Sequence, residues 1–394
     1  MISSRFDKRI PFYLLAASIC STMVSLFLFQ LFLGLLSILW LCEKTANKKE
    51  AFDIFTILIA GFGIVRILAI IFSLYPASSI QSLYKEALFY FSFFSISFYL
   101  KSMGEEKVKN LAYTLSISSI AVSLIGLVLF NLNLVDRSES FSSGYATFSS
   151  FLLVGAGVYI ALPFNDKKNI NWLLWCAGLS IIFSGIITSL GRTNIAIAML
   201  LFPAGILFKK IKIKQAIVII FLTALISFLS FHDNDWRLNQ RVEHPSSLSD
   251  RNIIFKGVDS LKFQHPILGF GPRTFHDIFP YVNLLSDKKV GSWHNDFIQI
   301  YFESGLAGLL SFILLIIMAI YFAAAYLKKT EQKSDSRNII IGVLLGTSAL
   351  VLSSLTAGFI DSPVLAIVFV LLVSFLSAIR YYNNSEPGYS AMKN

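Results

Sequence analysis

The chain alternates long apolar runs with short polar links. Runs of about 20 apolar residues leave few options beyond helices that cross a lipid bilayer, because every backbone polar group must then be satisfied inside its own segment. The composition agrees: 55% of residues are hydrophobic and 14% charged, where a soluble domain carries about 25% charged residues. The runs fall at residues 10–42, 53–75, 84–100, 108–130, 147–163, 172–188, 193–208, 214–231, 304–326, 338–358 and 363–380. The first is too long for one span, and Ser21, Thr22 and Ser25 mark its middle, so it reads as a pair of short helices. The expectation is an all-α integral membrane protein of about 12 transmembrane helices, interrupted by one long, partly helical outer segment.

Charge gives the orientation. The net charge is +10, but no basic block interleaved with aromatics suggests nucleic acid. The Lys residues sit instead in short links such as Glu43–Glu50, KSMGEEKVK, KKIKIK and LKKTEQKSDSR. These links fall on one side if the basic N-terminus is cytoplasmic. The expected organisation is nine membrane helices over 1–231, an outer segment over 232–303, three more helices over 304–380 and a cytoplasmic tail over 381–394. The same topology puts the links 131–146 and 189–192, the segment 232–294 and Asp361 together on the outer face. Cys20, Cys42 and Cys176 lie in or at the ends of expected spans, with neither a disulfide framework nor metal-thiolate spacing. The first apolar run lacks a small-residue cleavage site and reads as a membrane segment.

A polar segment of about sixty residues is unusual in a compact domain and points to function. Arg251 opens an amphipathic pattern, with Ile253, Ile254, Val258 and Leu261 on one face and Ser249 or Asp250 as cap. Pro266 and the Gly-rich GFGPRTF follow. The segment closes with GSWHNDFIQIYFESGLAGLL, residues 291–310, where His294, Asn295 and Asp296 sit where the chain re-enters the bilayer. Polar side chains there are costly unless they line a wet cavity.

The outer face collects Arg137, Arg192, Arg237, Arg241, Arg251 and Arg273. Guanidinium groups match phosphate oxygens in a planar fork and do not titrate away, so the set can clamp a phosphate or diphosphate. Some can equally meet lipid headgroups or pair with Asp233, Asp235, Glu243 or Asp250. Arg192 is the strongest of them, pinned in the tight link TSLGRTN. His294 can accept a proton from a hydroxyl or donate a hydrogen bond that orients one, with Asn295 beside it as a substrate contact. Arg66, inside an apolar span, either pairs with Glu86 or snorkels. His232, His244, His265 and His276 lack metal-ligand spacing. The chain has no phosphate-binding Gly-Lys loop, no Gly-x-Ser-x-Gly elbow and no paired-carboxylate signature. No metal site and no cofactor are expected.

Three stretches, TSLGRTNIAI, SDRNIIFKGVDSLKFQHPILGFGPRTF and WHNDFIQIYFESGLAGLL, resemble the O-antigen ligase family, within the wider group of O-antigen polymerases and bacterial O-oligosaccharyltransferases. The resemblance implies a GT-C-like, metal-independent glycosyltransferase in the bacterial inner membrane with its site facing the periplasm. Its donor would be a glycan linked to undecaprenyl diphosphate. Carried over by position, Arg192 and Arg251 would hold the diphosphate, with Arg241 a weaker candidate, and His294 would contact or activate the acceptor hydroxyl. The DRSESFSSGYATFSS stretch and the short C-terminal tail favour a ligase that uses the lipid A-core sugar as acceptor. The alternatives are a polymerase that extends lipid-linked repeats, a protein O-oligosaccharyltransferase, and a lipid or polysaccharide transporter in which no chemistry occurs.

Overall fold

The computed structural model describes residues 2–162, 169–232, 251–285, 291–330 and 334–385. Its described elements are helices: α1 (Arg9–Ser21), α2 (Leu26–Leu41), α3 (Thr45–Glu50), α4 (Ile54–Ile71), α5 (Pro76–Ser79), α6 (Gln81–Met103), α7 (Glu105–Asn131), α8 (Tyr145–Ala161), α9 (Asn169–Thr188), α10 (Arg192–Leu207), α11 (Ile213–His232), α12 (Arg251–Leu261), α13 (Phe275–Ile278), α14 (Asp296–Lys329), α15 (Asp335–Ser354) and α16 (Pro363–Ser385), with a single 3-10 turn at Val282–Leu284. Among the described residues, six helices (α4, α7, α11, α14, α15 and α16) are long and apolar enough to cross a membrane, and α1, α2, α8, α9 and α10 are shorter apolar helices. The chain is a multi-pass, all-helical membrane protein. Each apolar run read from the sequence coincides with a helix, and the first run splits into α1 and α2 across Ser21–Ser25.

The centre of the bundle is formed by α8, α15 and α16, whose core-facing side chains are almost wholly buried. Close packing of α8 on α15 depends on small residues: an added Cβ at Gly157 would lie 2.7 Å from the Gly346 amide nitrogen. Such contacts let two helices approach without large side chains between them. Small hydroxyls then bond across helices, as with Ser150 and Ser353 at 2.7 Å. Lipid-facing surfaces keep their large apolar side chains exposed, among them Phe27, Ile57, Met199 and Phe228.

At one end of the bundle the links are tied by buried polar groups. Lys101 Nζ donates to the Ala51 carbonyl at 2.5 Å and to Asp53 at 3.0 Å, and Ser377 donates to the same carboxylate at 2.5 Å. At the other end lie the link before α8, the start of α10, the segment 251–285 and the start of α14. The contacts Ser138 to Thr188, Asn194 to Ser149, Ser353 to Asn194 and Arg251 to Thr356 hold these together.

The outer segment has its own small core. Ile254, Leu261, Phe270, Phe275, Phe279 and Trp293 cluster around Phe302 of α14, with the Trp293 and Phe302 rings stacked 4.2 Å apart. The expected amphipathic helix forms as α12 and turns Ile254, Gly257 and Leu261 inward. It ends at Leu261, ahead of Pro266. Its expected cap, Ser249 or Asp250, lies outside the described residues.

The membrane helix expected from about residue 304 differs in one respect. It starts at Asp296 and is broken at Gly305, whose φ of 64° and ψ of −163° belong to a region open almost only to glycine. The break frees four backbone groups that an intact helix would pair. The stretch Pro266–Gly271 satisfies all four: Phe270 N–H donates to the Phe302 carbonyl at 2.7 Å and Gly271 N–H to that of Glu303 at 3.1 Å, while Leu306 N–H donates to Pro266 at 2.7 Å and Ala307 N–H to Ile267 at 3.2 Å. An added Cβ at Gly305 would overlap the Ile267 carbonyl, and one at Gly269 would lie 2.5 Å from the Phe302 carbonyl oxygen. Gly305→Ala is therefore expected to cost about 2 kcal/mol or more, from backbone strain of about 1–3 kcal/mol plus the overlap. Thermal unfolding in detergent measures it, and a neighbouring Gly308→Ala change, which meets only side-chain atoms, is expected to cost less.

Candidate functional site

The break positions Glu303, two residues before Gly305. Its carboxylate is buried and accepts from three sides: Arg66 Nη1 at 2.6 Å, the Arg273 backbone N–H at 2.9 Å and Gln299 Nε2 at 3.2 Å. Arg66 in turn forks onto Glu86, with Nε to Oε2 at 3.1 Å and Nη2 to Oε1 at 2.5 Å, and reaches Ser304 Oγ at 3.2 Å. Arg66 and Glu303 have side chains only 2% and 3% exposed. Arg66 thus pairs inside the bundle with Glu86, one of its two sequence alternatives. The second partner, Glu303, was hidden by a separation of 237 residues. The available signal was that a buried guanidinium has more donors than one carboxylate can use.

A second set of contacts converges on residues 353–361, the turn between α15 and α16. Asn295 caps α14 by accepting from Phe297 N–H at 2.9 Å and Ile298 N–H at 3.1 Å, and its Nδ2 donates to the Leu355 carbonyl at 3.1 Å. Asp296 is fully buried, and its two oxygens accept from Phe359 N–H at 2.7 Å and Ile360 N–H at 3.2 Å. Gly358 is required by that approach, since a Cβ there would come within 2.7 Å of Asp296 Oδ1. Arg251 Nη2 donates to the Thr356 carbonyl at 3.1 Å. Gln299 donates to Asp361. Asn194, on the first turn of α10, accepts from Ser353 Oγ at 2.8 Å and donates to Ser149 at 2.7 Å.

The structure therefore joins four sequence candidates through one turn. Arg251 and Asn295 bond to it directly, His294 precedes Asn295, and Arg192 begins the helix that Asn194 ties to it. Arg192 is exposed and its side chain makes no hydrogen bond or ion pair among the described residues, while Arg251 and His294 are half-buried. Arg137 takes another position, stacked on the Tyr145 ring at 4.0 Å. Arg273 lies beyond the turn, where it borders a cavity with Asp361 and Glu86. Arg237 and Arg241 lie outside the described residues.

Backbone strain touches two of these residues. Among the described residues, the non-glycine residues with positive φ are Asn133, Leu190, Lys209, Arg273 and His294. Arg273 and His294 are sequence candidates, and Leu190 is two residues before Arg192. Each such conformation costs on the order of 1–3 kcal/mol and persists only where neighbours over-determine it.

An apolar groove of about 380 Å³ begins one turn along α10 from Arg192. It runs between α9, α10 and α11 along Ile195, Ala198, Met199 and Phe202. A second cavity, of about 510 Å³, opens between α2, α4, α6 and the start of α16. Among the described residues, no group of three or more His, Cys, Asp or Glu side chains is arranged to hold a metal ion.

Two comparisons with known proteins bear on this site. Residues 177–313 match the family model described as O-antigen ligase, a stretch that includes Arg192, Arg251, Arg273, His294 and Gly305 and excludes Arg66, Arg137 and Asp361. No curated protein matches the chain.

Removing Arg66 leaves Glu303 and Glu86 without their counter-charge. Arg66→Met is expected to destabilise the protein by about 3–5 kcal/mol, the usual cost of stranding a buried charge. The double change Arg66→Met with Glu303→Gln is expected to recover part of that loss. Thermal unfolding of the single and double variants in detergent gives the comparison.

Proposed function

We propose that this chain, whose residues 177–313 match the O-antigen ligase family model, transfers a glycan from undecaprenyl diphosphate to the sugar of a lipid A-core acceptor. That match supports glycosyl transfer of the ligase or polymerase type; the donor, the acceptor and the residue roles are proposed. The observation that carries it is the pairing of an unpartnered, exposed Arg192 with an apolar groove that begins one turn below it. A diphosphate attached to a long isoprenoid needs both features, a cation at the head and a lipid-facing channel for the tail.

The chemistry follows from the leaving group. The acceptor oxygen attacks the anomeric carbon, the bond from that carbon to the diphosphate oxygen breaks, and the configuration inverts. Negative charge grows on the diphosphate as the bond breaks. Arg192 and Arg251 offer fixed positive charge to those oxygens, a stabilisation that grows as bound substrate excludes water. The hydroxyl proton leaves to His294, which stands at the head of α14 beside Asn295. His294 can also act by orienting the hydroxyl. The donor sugar is already activated, so the transfer needs neither ATP nor a metal. In this reading the 353–361 turn, the segment 251–285 and the start of α14 face the periplasm, and the protein lies in the inner membrane.

Reconstitution with an undecaprenyl-diphosphate-linked glycan and lipid A-core, without ATP and with EDTA, tests the proposal. A larger lipopolysaccharide is expected on a gel. Arg192→Ala is expected to lower turnover by about 10²–10³-fold, the usual loss of one charge-stabilising donor. His294→Ala is expected to lower it by about 10²–10⁴-fold if the imidazole accepts the proton. Growth of a glycan ladder on the undecaprenyl carrier with lipid A-core untouched identifies a polymerase instead. Donor binding without turnover, unaltered in His294→Ala, identifies a transporter.

A further inference from the structure

The outer segment covers one side of itself and leaves another bare. Its inner residues pack into the small core around Phe302. Phe255, Phe263 and Ile267 stay 55%, 81% and 71% exposed. The backbone bonds at the α14 break fix the depth of this bare stretch. Leu306 N–H donates to the Pro266 carbonyl and Ala307 N–H to that of Ile267, so Pro266 and Ile267 lie level with the start of the intact part of α14. That part, residues 306–329, is about 36 Å long at an ordinary helical rise, against a hydrocarbon core of about 30 Å. Its far end carries Lys328 and Lys329, which belong among headgroups. The hydrocarbon then reaches to about Leu306. Leu306, Leu310, Leu314, Ile317 and Tyr321 form the exposed stripe of this helix, at the spacing of one helical face. α4 ends at the same level: its exposed Ile64, Ile67, Ile71 and Phe72 lead to Leu74, whose N–H donates to the Phe270 carbonyl at 3.3 Å. Residues 266–271 therefore hang between the ends of two lipid-facing helices.

An exposed apolar side chain at that depth has lipid, water or another protein surface beside it. Ile267 and Phe263 line neither of the two cavities described above. Removing such side chains from water is favourable, and the lipid-facing stripe of α14 is continuous with them through the Leu306 and Ala307 bonds. The local composition agrees. Lys262 pairs with Asp259 and holds its Nζ 5.3 Å from the centre of the Phe263 ring, directly after the amphipathic α12. Basic and aromatic residues together at an amphipathic helix suit the boundary between headgroups and acyl chains. We propose that residues 263–267 are an interfacial anchor whose partner is the phospholipid leaflet at this end of the bundle, with Phe263 and Ile267 set among the upper acyl chains. A second copy of the chain could also cover an apolar patch, but the depth fixed by Ala307 favours lipid. The anchor is independent of the reaction proposed above. Because the Pro266 and Ile267 carbonyls also fill the α14 break, it ties the depth of the outer segment in the membrane to that of α14.

Spin labelling reads the depth. Each label goes on the full chain with Cys20, Cys42 and Cys176 replaced by Ala, in nanodiscs of phosphatidylethanolamine and phosphatidylglycerol. Power saturation compares collisions with oxygen, which concentrates in acyl chains, and with a water-soluble nickel chelate. Labels at Phe263→Cys and Ile267→Cys are expected to favour oxygen, as a label at Leu310→Cys on the exposed stripe of α14 does. A label at Lys212→Cys, in the exposed link before α11, is expected to favour the chelate. Labels at 263 and 267 that behave like the one at 212 place these residues in water and overturn the proposal. Labels there that neither reagent reaches show that protein covers the patch, which also overturns it. The native chain gives a second readout that needs no substitution. In nanodiscs containing a phospholipid with a diazirine near the ester end of its acyl chain, photolysis is expected to leave adducts within residues 263–267. Their absence, with adducts present at residues 306–310, overturns the anchor.

Discussion

The break in α14 at Gly305 is the constraint on which the functional end of this protein depends. A membrane helix cannot leave backbone groups unpaired in an apolar surround. Here Phe302, Glu303, Leu306 and Ala307 give up their helical pairings and take Phe270, Gly271, Pro266 and Ile267 in exchange. The outer segment is thereby bonded into the helix as well as packed on it. The same stretch is gripped from its other side, where Ser73 Oγ donates to the Phe270 carbonyl at 2.9 Å and Ser79 Oγ to that of Pro272 at 3.0 Å. Glu303 acquires its three donors because the break lets the Arg273 backbone reach it. Without a glycine at 305 the Ile267 carbonyl could not approach, and the outer segment would lose its register on the bundle.

The turn at 353–361 performs the complementary task. It has little regular structure, and its carbonyls and amides are free to bond outward. Leu355 and Thr356 offer carbonyls to Asn295 and Arg251, and Phe359 and Ile360 offer amides to Asp296. Residues far apart in sequence are therefore positioned by one short element whose own geometry is fixed by α15 and α16, two of the central, mostly buried helices. The two sides of this turn differ chemically. One gathers Arg251, His294 and, through Asn194, Arg192. The other carries Asp361 and faces Arg273 and Tyr90 across a cavity.

Much of this was legible in the sequence, for reasons that can be stated. The helices follow from hydropathy alone, because a span of lipid has a fixed thickness. The amphipathic α12 follows from the spacing of Ile254 and Leu261, and the split between α1 and α2 from Ser21 to Ser25. The grouping of Arg192, Arg251 and Asn295 at one end follows from the alternation of Lys-rich links. The exchange of backbone bonds at Gly305 was not legible. Gly269, Gly271 and Gly305 are each visible as residues, but a carbonyl entering a helix break leaves no periodic trace. Glu303 was likewise readable only as part of a Glu-x-Gly pattern, since its partner Arg66 is brought near by folding. Arg273 looked equivalent to its neighbours as an outer arginine, and only the packing of α6 and α16 separates it from them.

The two ends of the bundle also treat polar groups differently, and this argues for where function lies. At the Lys101 end, the ammonium, Asp53 and Ser377 satisfy one another, and Asp53 also caps α4 by accepting from Phe55 and Thr56 N–H at 3.0 and 3.1 Å. Glu43 is similarly occupied by the Ser4 hydroxyl and the Arg5 amide, at 2.6 and 2.9 Å. The opposite end keeps positive φ at Leu190, Arg273 and His294, an unpaired guanidinium at Arg192, and unpartnered atoms on Tyr90, Arg273 and Asp361. Strain and unmet hydrogen bonds cost stability wherever they occur, and the Lys101 end carries some too, with positive φ at Lys209 and an unpartnered Arg380 Nη1. What sets the outer end apart is that Tyr90, Arg273 and Asp361, from three separate elements, each keep an unpartnered atom and line one cavity.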